Sequence, residues 1–282
     1  MKKLLLATDL SPRSELALRC ALRLAREHRA AVAVIHIVDE DLPPSLAEVT
    51  KAGAEQLIRA QLAAAPQNGQ ADVAIKVASG KAFRDILAHA ADEKAELIVL
   101  GMHREGGAKE MFRGTTAERV IRTGGVPVLV VKREASESYR RVVVATDFSV
   151  HARRAMQEAL RLAAGAELRL VHAFLVPFQG LMYGAGTHRQ VETEHQQAMT
   201  AMIGEEMKTF LASFEGVPPR VHQICREGMA QEVILKEVVS NRADLLVLGT
   251  HGRTGVAHAF LGSVAEELLA AAPCDVLVAR AW

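Results

Sequence analysis

Glycines at 249, 252 and 262, the last followed by Ser263, punctuate the stretch LVLGTHGRTGVAHAFLGSVA at residues 246–265. Glycine puts no side chain between a ligand and the backbone amides, and a helix opening at Gly262-Ser263 adds unpaired N–H donors and the positive end of a dipole. The chemistry this supports is anion binding, with phosphate as the ligand. Ser263 and Glu266 have the S-x-x-E spacing of a capping box, which sets the expected helix start. A Walker-type G-x4-G-K-[ST] run does not occur in the sequence, so a P-loop is excluded. A G-x-S-x-G elbow, a paired-carboxylate motif and H-E-x-x-H are missing too, which leaves catalysis thin support.

The elements that must hold this loop come in two copies. An apolar strand, Lys3 to Ala7, ends in Thr8-Asp9-Leu10-Ser11 and leads into a helical pattern from Ser14 to His28; Arg141 to Ala145 ends in Thr146-Asp147-Phe148-Ser149 and does the same. AVAVIHIVDE (31–40) aligns with ELRLVHAFLV (167–176), AELIVLGMH (95–103) with ADLLVLGTH (243–251), and VPVLVV (126–131) with CDVLVA (274–279). His36 and His172 are 136 residues apart but Gly101 and Gly249 are 148 apart, so the second copy gains a net twelve residues. They fall around FLVPFQGLMYGAGTHRQ, expected to be an irregular loop before a helix whose Met199, Met202 and Met207 make one apolar face. A repeat this long means one fold made twice. Nearly continuous apolar strands alternating with helices predict α/β architecture, a parallel sheet covered on both faces and ligands at the carboxyl ends of its strands. Asp9, Asp147 and both glycine loops lie at such ends.

The spacing Gly249-x2-Gly252-x9-Gly262-Ser263, together with Asp147 after an earlier strand, resembles the nucleotide-binding signature of the universal stress protein family, in its tandem two-domain form. The resemblance covers both halves and implies two tandem Rossmann-like domains, 1–132 and 139–282, each a five-stranded parallel sheet flanked by helices. It implies that Ala145, Thr146, Asp147 and the main chain near Ala173 meet the adenosine part of ATP or another adenine nucleotide. Gly249, Gly252, Gly262, Ser263 and Val264 are implied for ribose and phosphates, with Mg as an optional companion. Arg253, inside the loop, reads either as a screen for phosphate charge or as a solvated side chain. The resemblance also implies pairing of Pro127–Val131 with Asp275–Ala279 as an internal pseudo-dimer, since exposed apolar edges are normally paired or covered. A homodimer through another surface stays compatible with this.

The first-half loop departs from the signature, because Arg104 replaces the second glycine. Gly101 and Gly114-Thr115 remain, and Thr115 with Glu118 keeps a capping box, so Asp9, Ile37, Gly101, Arg104, Gly114 and Thr115 are expected to form a degenerate site. Of eleven histidines, His172 and His222 are the candidates for a metal, against which stands the lack of any tight pair at zinc-ligand spacing. A slow ATPase, a scaffold and a zinc-binding stress protein are the rival functions. The motifs supply amides for phosphate and no evident carboxylate to position a water, so binding with little hydrolysis is expected.

Length and composition agree with this reading. The chain has 282 residues, half of them apolar, enough for two buried cores. Its 34 basic and 33 acidic residues give a net charge of +1 and no electrostatic reason to expect nucleic acid or an anionic membrane as partner. The apolar start stops at Thr8-Asp9 and is expected to be a strand rather than a secretory leader, and no apolar run approaches the roughly 20 residues of a membrane span. Three cysteines without C-x2-C spacing suit a reducing cytoplasm. Lys132 to Arg140 (KREASESYR) reads as a short polar linker.

Overall fold

The computed structural model describes residues 1–65, 72–102, 114–134, 137–175, 188–215, 217, 221–252 and 261–281, with backbone alone over 188–196. In the first half the order is β1 (Lys3–Ala7), α1 (Pro12–His28), β2 (Ala31–Asp39), α2 (Pro44–Ala64), β3 (Val73–Gly80), α3 (Ala82–Asp92), β4 (Leu97–Gly101), α4 (Thr116–Thr123) and β5 (Val128–Val131). The second half repeats it with β6 (Arg141–Ala145), α5 (Val150–Leu162), β7 (Glu167–Phe174), α6 (His188–Ala212), β8 (Val221–Glu227), α7 (Ala230–Ser240), β9 (Leu245–Gly249), α8 (Ser263–Ala271) and β10 (Asp275–Ala279).

The ten strands form one sheet in the order β3-β2-β1-β4-β5-β10-β9-β6-β7-β8. Within each half the pairing is parallel, and the order reverses direction between β1 and β4 and between β6 and β9, the switch points where α/β sheets bind ligands. The expected junction is present: β5 and β10 pair antiparallel, Val128 with Val278, Leu129 with Leu277 and Val130 with Val276. All residues of both strands are buried.

Alternation along the strands divides the core into two layers. Leu4 and Leu6 face α1 and α2, whereas Leu5 and Ala7 face α3 and α4, and each layer runs on through the second half. On α6 the apolar stripe is Ile203, Met207, Phe210 and Leu211, and Met202 is 63% exposed. The expected methionine face is therefore incorrect. Residues 203, 207, 210 and 211 keep helical spacing, whereas a step of five from 202 to 207 turns the side chain off the face. Among the described residues no helix is long and apolar enough to cross a membrane.

The connection between the halves is more than a polar linker. Tyr139 is buried and donates from its hydroxyl to Asp275 Oδ2 at 2.7 Å, while the Lys132 and Arg133 amides donate to Asp275 Oδ1 at 2.8 and 3.2 Å. Arg23 lies over the Tyr139 ring, 4.6 Å from its centroid, and Cys20 Sγ is 3.5 Å from the hydroxyl. Asp275, only 1% exposed, thus ties α1, the connection and β10 into one buried network. Farther along the junction, Arg161 of α5 donates to the Glu96 carboxylate at 2.5 Å and to its carbonyl at 3.0 Å, just before β4.

Three expectations arise from this network and the thiols. Tyr139→Phe leaves a buried carboxylate oxygen short of a donor and should cost about 1–3 kcal/mol, measured by urea unfolding. Burial raises the Asp275 pKa above its ordinary value, against the pull of its N–H and O–H donors. Its contribution to stability is then fully present below the unfolded carboxylate pKa and is lost as pH rises through the folded one, so Asp275→Asn should lose stability relative to wild type as the solution is acidified. Burial also pushes the thiols of Cys20 and Cys274 up to about 11 and about 12, so iodoacetamide should label the half-buried Cys225 first, and the other two only after unfolding.

Candidate functional site

The second-domain site starts at the end of β6. Thr146 N–H donates to the Val171 carbonyl at 2.9 Å, which turns the chain out of the sheet beside β7. Asp147 Oδ1 accepts from the Ser149 amide at 3.0 Å, Phe148 takes a left-handed conformation with φ of 64°, and Ser149 caps α5 by accepting from Ala152 N at 3.1 Å. These local bonds hold the Asp147 carboxylate at the carboxyl edge of the sheet.

The glycine loop approaches from β9. A Cβ placed on Gly252 would lie 3.0 Å from Asp147 Oδ2, so this glycine lets the loop pass against the carboxylate. On Gly249 a Cβ would lie 2.9 Å from the His151 carbonyl carbon, so that glycine serves the packing of β9 against the start of α5. Thr250, 2% exposed, fixes the loop root: its amide donates to the Ala279 carbonyl at 3.1 Å and its carbonyl accepts from Gly262 N at 2.9 Å. Its hydroxyl lies 3.0 Å from His251 Nδ1, and His151 Nδ1 accepts from Ala281 N at 3.1 Å. His251 Nε2 is buried and has no hydrogen-bond partner among the described residues. Ala145, Ala173 and Val264 pack on the same core layer, as does Ala230 of α7. Arg253, which the sequence offered for phosphate, lies outside the described residues, as does residue range 176–187 within the insertion.

The start of α8 differs from expectation. Gly262, not Ser263, is the N-cap, and no side-chain cap bond is present there. Ser263 occupies the first helical position, because the Gly262 carbonyl already accepts the first intrahelical bond from Glu266 N at 2.9 Å. The helix thus begins one residue earlier than the capping-box pattern suggested, and its cap has no side chain. In the first domain the pattern does hold: Thr115 Oγ1 accepts from Glu118 N at 3.1 Å, and the Glu118 carboxylate accepts from Gly114 N.

The first-domain residues enclose a cavity of about 410 Å³, at the switch point between β1 and β4. Asp9, Ile37, Gly101, Gly114 and Thr115 all line it, and Arg104 lies outside the described residues. Sequence reasoning missed Ser14, Ala82 and Ile86 in its wall. The signal for Ser14 was its place five residues after Asp9: its hydroxyl bonds Asp9 Oδ1 and accepts from Asp9 N at 3.1 Å. Ala152 stands at the corresponding place in the second domain, where the hydroxyl is absent.

The two histidine candidates are not brought together. His172 Nδ1 donates to the Thr146 carbonyl at 2.8 Å and its ring stacks on Phe148 at 4.7 Å, as His36 donates to the Thr8 carbonyl at 2.8 Å. His222 is opposite Arg169 in the β7–β8 pairing, three places from His172, and meets Glu167 at 3.1 Å. Among the described residues no group of three or more His, Cys, Asp or Glu could hold a metal ion.

The family model described as the universal stress protein family matches residues 1–132 and again 138–280. The chain belongs to that family. A universal stress protein of Thermus aquaticus, from the QAH/OAS sulfhydrylase 3′ region, is 31% identical over 144 residues, which is 50% of this chain and 99% of that protein. One from Mycolicibacterium smegmatis is 24% identical over 294 residues, covering 98% of this chain and 96% of its own. In three dimensions the chain is similar to a universal stress protein from Archaeoglobus fulgidus, with a TM-score of 0.70, 22% identity and coverage of 99% and 98%, a likeness of fold. As a tandem universal stress protein, the chain makes within itself the sheet that joins its two domains.

The unlike helix starts give a direct test. Thr115→Ala removes a side-chain cap and should cost about 1 kcal/mol, whereas Ser263→Ala removes none and should stay within about 0.5 kcal/mol, both read from thermal unfolding without ligand.

Proposed function

We propose that this universal stress protein binds one adenine nucleotide per chain, in its second domain, and acts in stress response as a ligand-dependent binding or signalling module in the cytoplasm. The observation that carries the reading is the close approach of Gly252 to Asp147 beside a helix start that has no side-chain cap. A carboxylate there can accept from the hydroxyls or amine of a nucleoside, while the first amides of α8, at Ser263 and Val264, suit a phosphate and Gly262 leaves room for one beside them. Ala145, Thr146 and the main chain at Ala173 complete the nucleoside side, and Arg253 is assigned to the phosphates, with Mg as their companion. ATP is the reference ligand.

The first domain is assigned a degenerate site for the same nucleotide. Two features support this: the Asp9 carboxylate is already bound by the Ser14 hydroxyl, and the start of α4 is closed by Thr115 and Glu118. Arg104 in place of the second glycine adds to them.

Calorimetric titration with ATP tests the reading. Wild type should bind about one equivalent, and Gly252→Arg should lose it, because a long cation would fill the gap beside Asp147. Two equivalent sites in wild type, or undiminished binding in Gly252→Arg, would refute the proposal. Phosphate release should stay far below the enzyme median of about 10 per second, with or without magnesium.

A further inference from the structure

The helices that present the two loop ends, α4 and α8, are each closed at the opposite end by the other domain. Lys132, directly after β5, donates from Nζ to the carbonyls of Leu269 at 2.5 Å and Ala272 at 2.8 Å, at the C-terminus of α8. Arg280, directly after β10, donates from its guanidinium to the Arg122 carbonyl at the end of α4. The two cations occupy equivalent places in the repeat, so the exchange follows the pseudo-twofold of the β5–β10 junction.

For α8 the borrowed cation is decisive, because the helix SVAEELLAA has no base of its own in its last turn. The carbonyls of a last turn have no intrahelical partner, and a cation there both satisfies them and complements the dipole. Lys132 is itself held rigidly. Its amide is bound to the buried Asp275, which Tyr139 also binds, and Tyr139 packs under Arg23 of α1. A chain of bonds thus runs from the first-domain helix α1 to the end of α8. With nine residues, α8 is a rod of roughly 13 Å, so fixing its far end fixes the direction in which Ser263 and Val264 offer their amides.

We propose that Lys132 of the first domain is a positioning residue for the phosphate end of the second-domain site, acting through α8. The first domain then supplies the support for its neighbour's ligand loop, whatever it binds itself. This rests on the nucleotide reading above for its effect on affinity, but not for its effect on the helix.

The experiment uses the full chain as wild type, Lys132→Met, Lys132→Arg and Arg280→Met, followed by hydrogen exchange over 263–271 and by ATP titration. Lys132→Met should speed exchange across α8 and weaken ATP about three- to tenfold at unchanged stoichiometry, in the range of partly buried helix-end charges. Lys132→Arg should restore both. Arg280→Met removes a domain-crossing bond of the same kind from the other helix, and should leave ATP affinity within about twofold of wild type. Unchanged α8 exchange in Lys132→Met would overturn the positioning role whether or not ATP binds. Faster exchange with wild-type affinity, or equal weakening by Arg280→Met, would overturn its link to the site. Failure of wild type to bind ATP would instead sink the nucleotide reading, and the exchange comparison would still decide whether Lys132 holds α8.

Discussion

The antiparallel contact of Val128–Val130 with Val276–Val278 is the constraint on which the rest of the molecule depends. A five-stranded parallel half ends in a strand that is apolar on both faces, and its open edge would expose backbone donors and acceptors beside unburied side chains. Pairing the two ends removes both problems at once. Each valine or leucine buried there contributes about 1.5–3 kcal/mol relative to exposure. Because the two strands come from one chain, the junction needs no second copy, and each core layer continues across it without interruption.

The same junction gathers the polar groups that a buried seam must satisfy. Asp275 sits 1% exposed at the start of β10 and receives two amides and a phenol, so its burial is offset by donors fixed in place. Lys132 and Arg280 extend the arrangement outward to the ends of α8 and α4. The starts of these helices stand at one end, beside Asp9 and Asp147 of the candidate sites, and the interdomain seam closes the other.

Duplication has kept the backbone of the two sites and altered what the side chains do. Asp9 and Asp147 follow equivalent strands, and Leu10 and Phe148 share a left-handed φ of 65° and 64°. The contrast arises from one substitution and one shifted helix start. Ser14 gives Asp9 a hydroxyl that Ala152 cannot give Asp147, and Thr115 caps its helix where the cap of α8 is a bare glycine. A site of this type is built from strand ends and helix starts, so it survives as a cavity even when its polar partners are rearranged within it.

The sequence by itself determined the repeat, the parallel α/β architecture and the strand ends at which Asp9, Asp147 and the glycine loops stand, because periodicity and strand-to-loop transitions are local properties of the chain. It also indicated the β5–β10 pairing, since apolar strands at an edge require cover. Tertiary structure decided what depends on neighbours distant in sequence. That Gly249 serves helix packing whereas Gly252 clears Asp147 follows from which atoms lie opposite each, and glycine has no side chain to announce it. The first helical position of Ser263 followed from where the Gly262 carbonyl found its bond, although the capping-box spacing occurs in both halves, as Thr115 to Glu118 and Ser263 to Glu266. Most of all, a connection that reads as polar linker holds a buried tyrosine and a lysine that closes the other domain's helix, because burial and hydrogen bonds across about 140 residues exist only once the two halves of the sheet have joined.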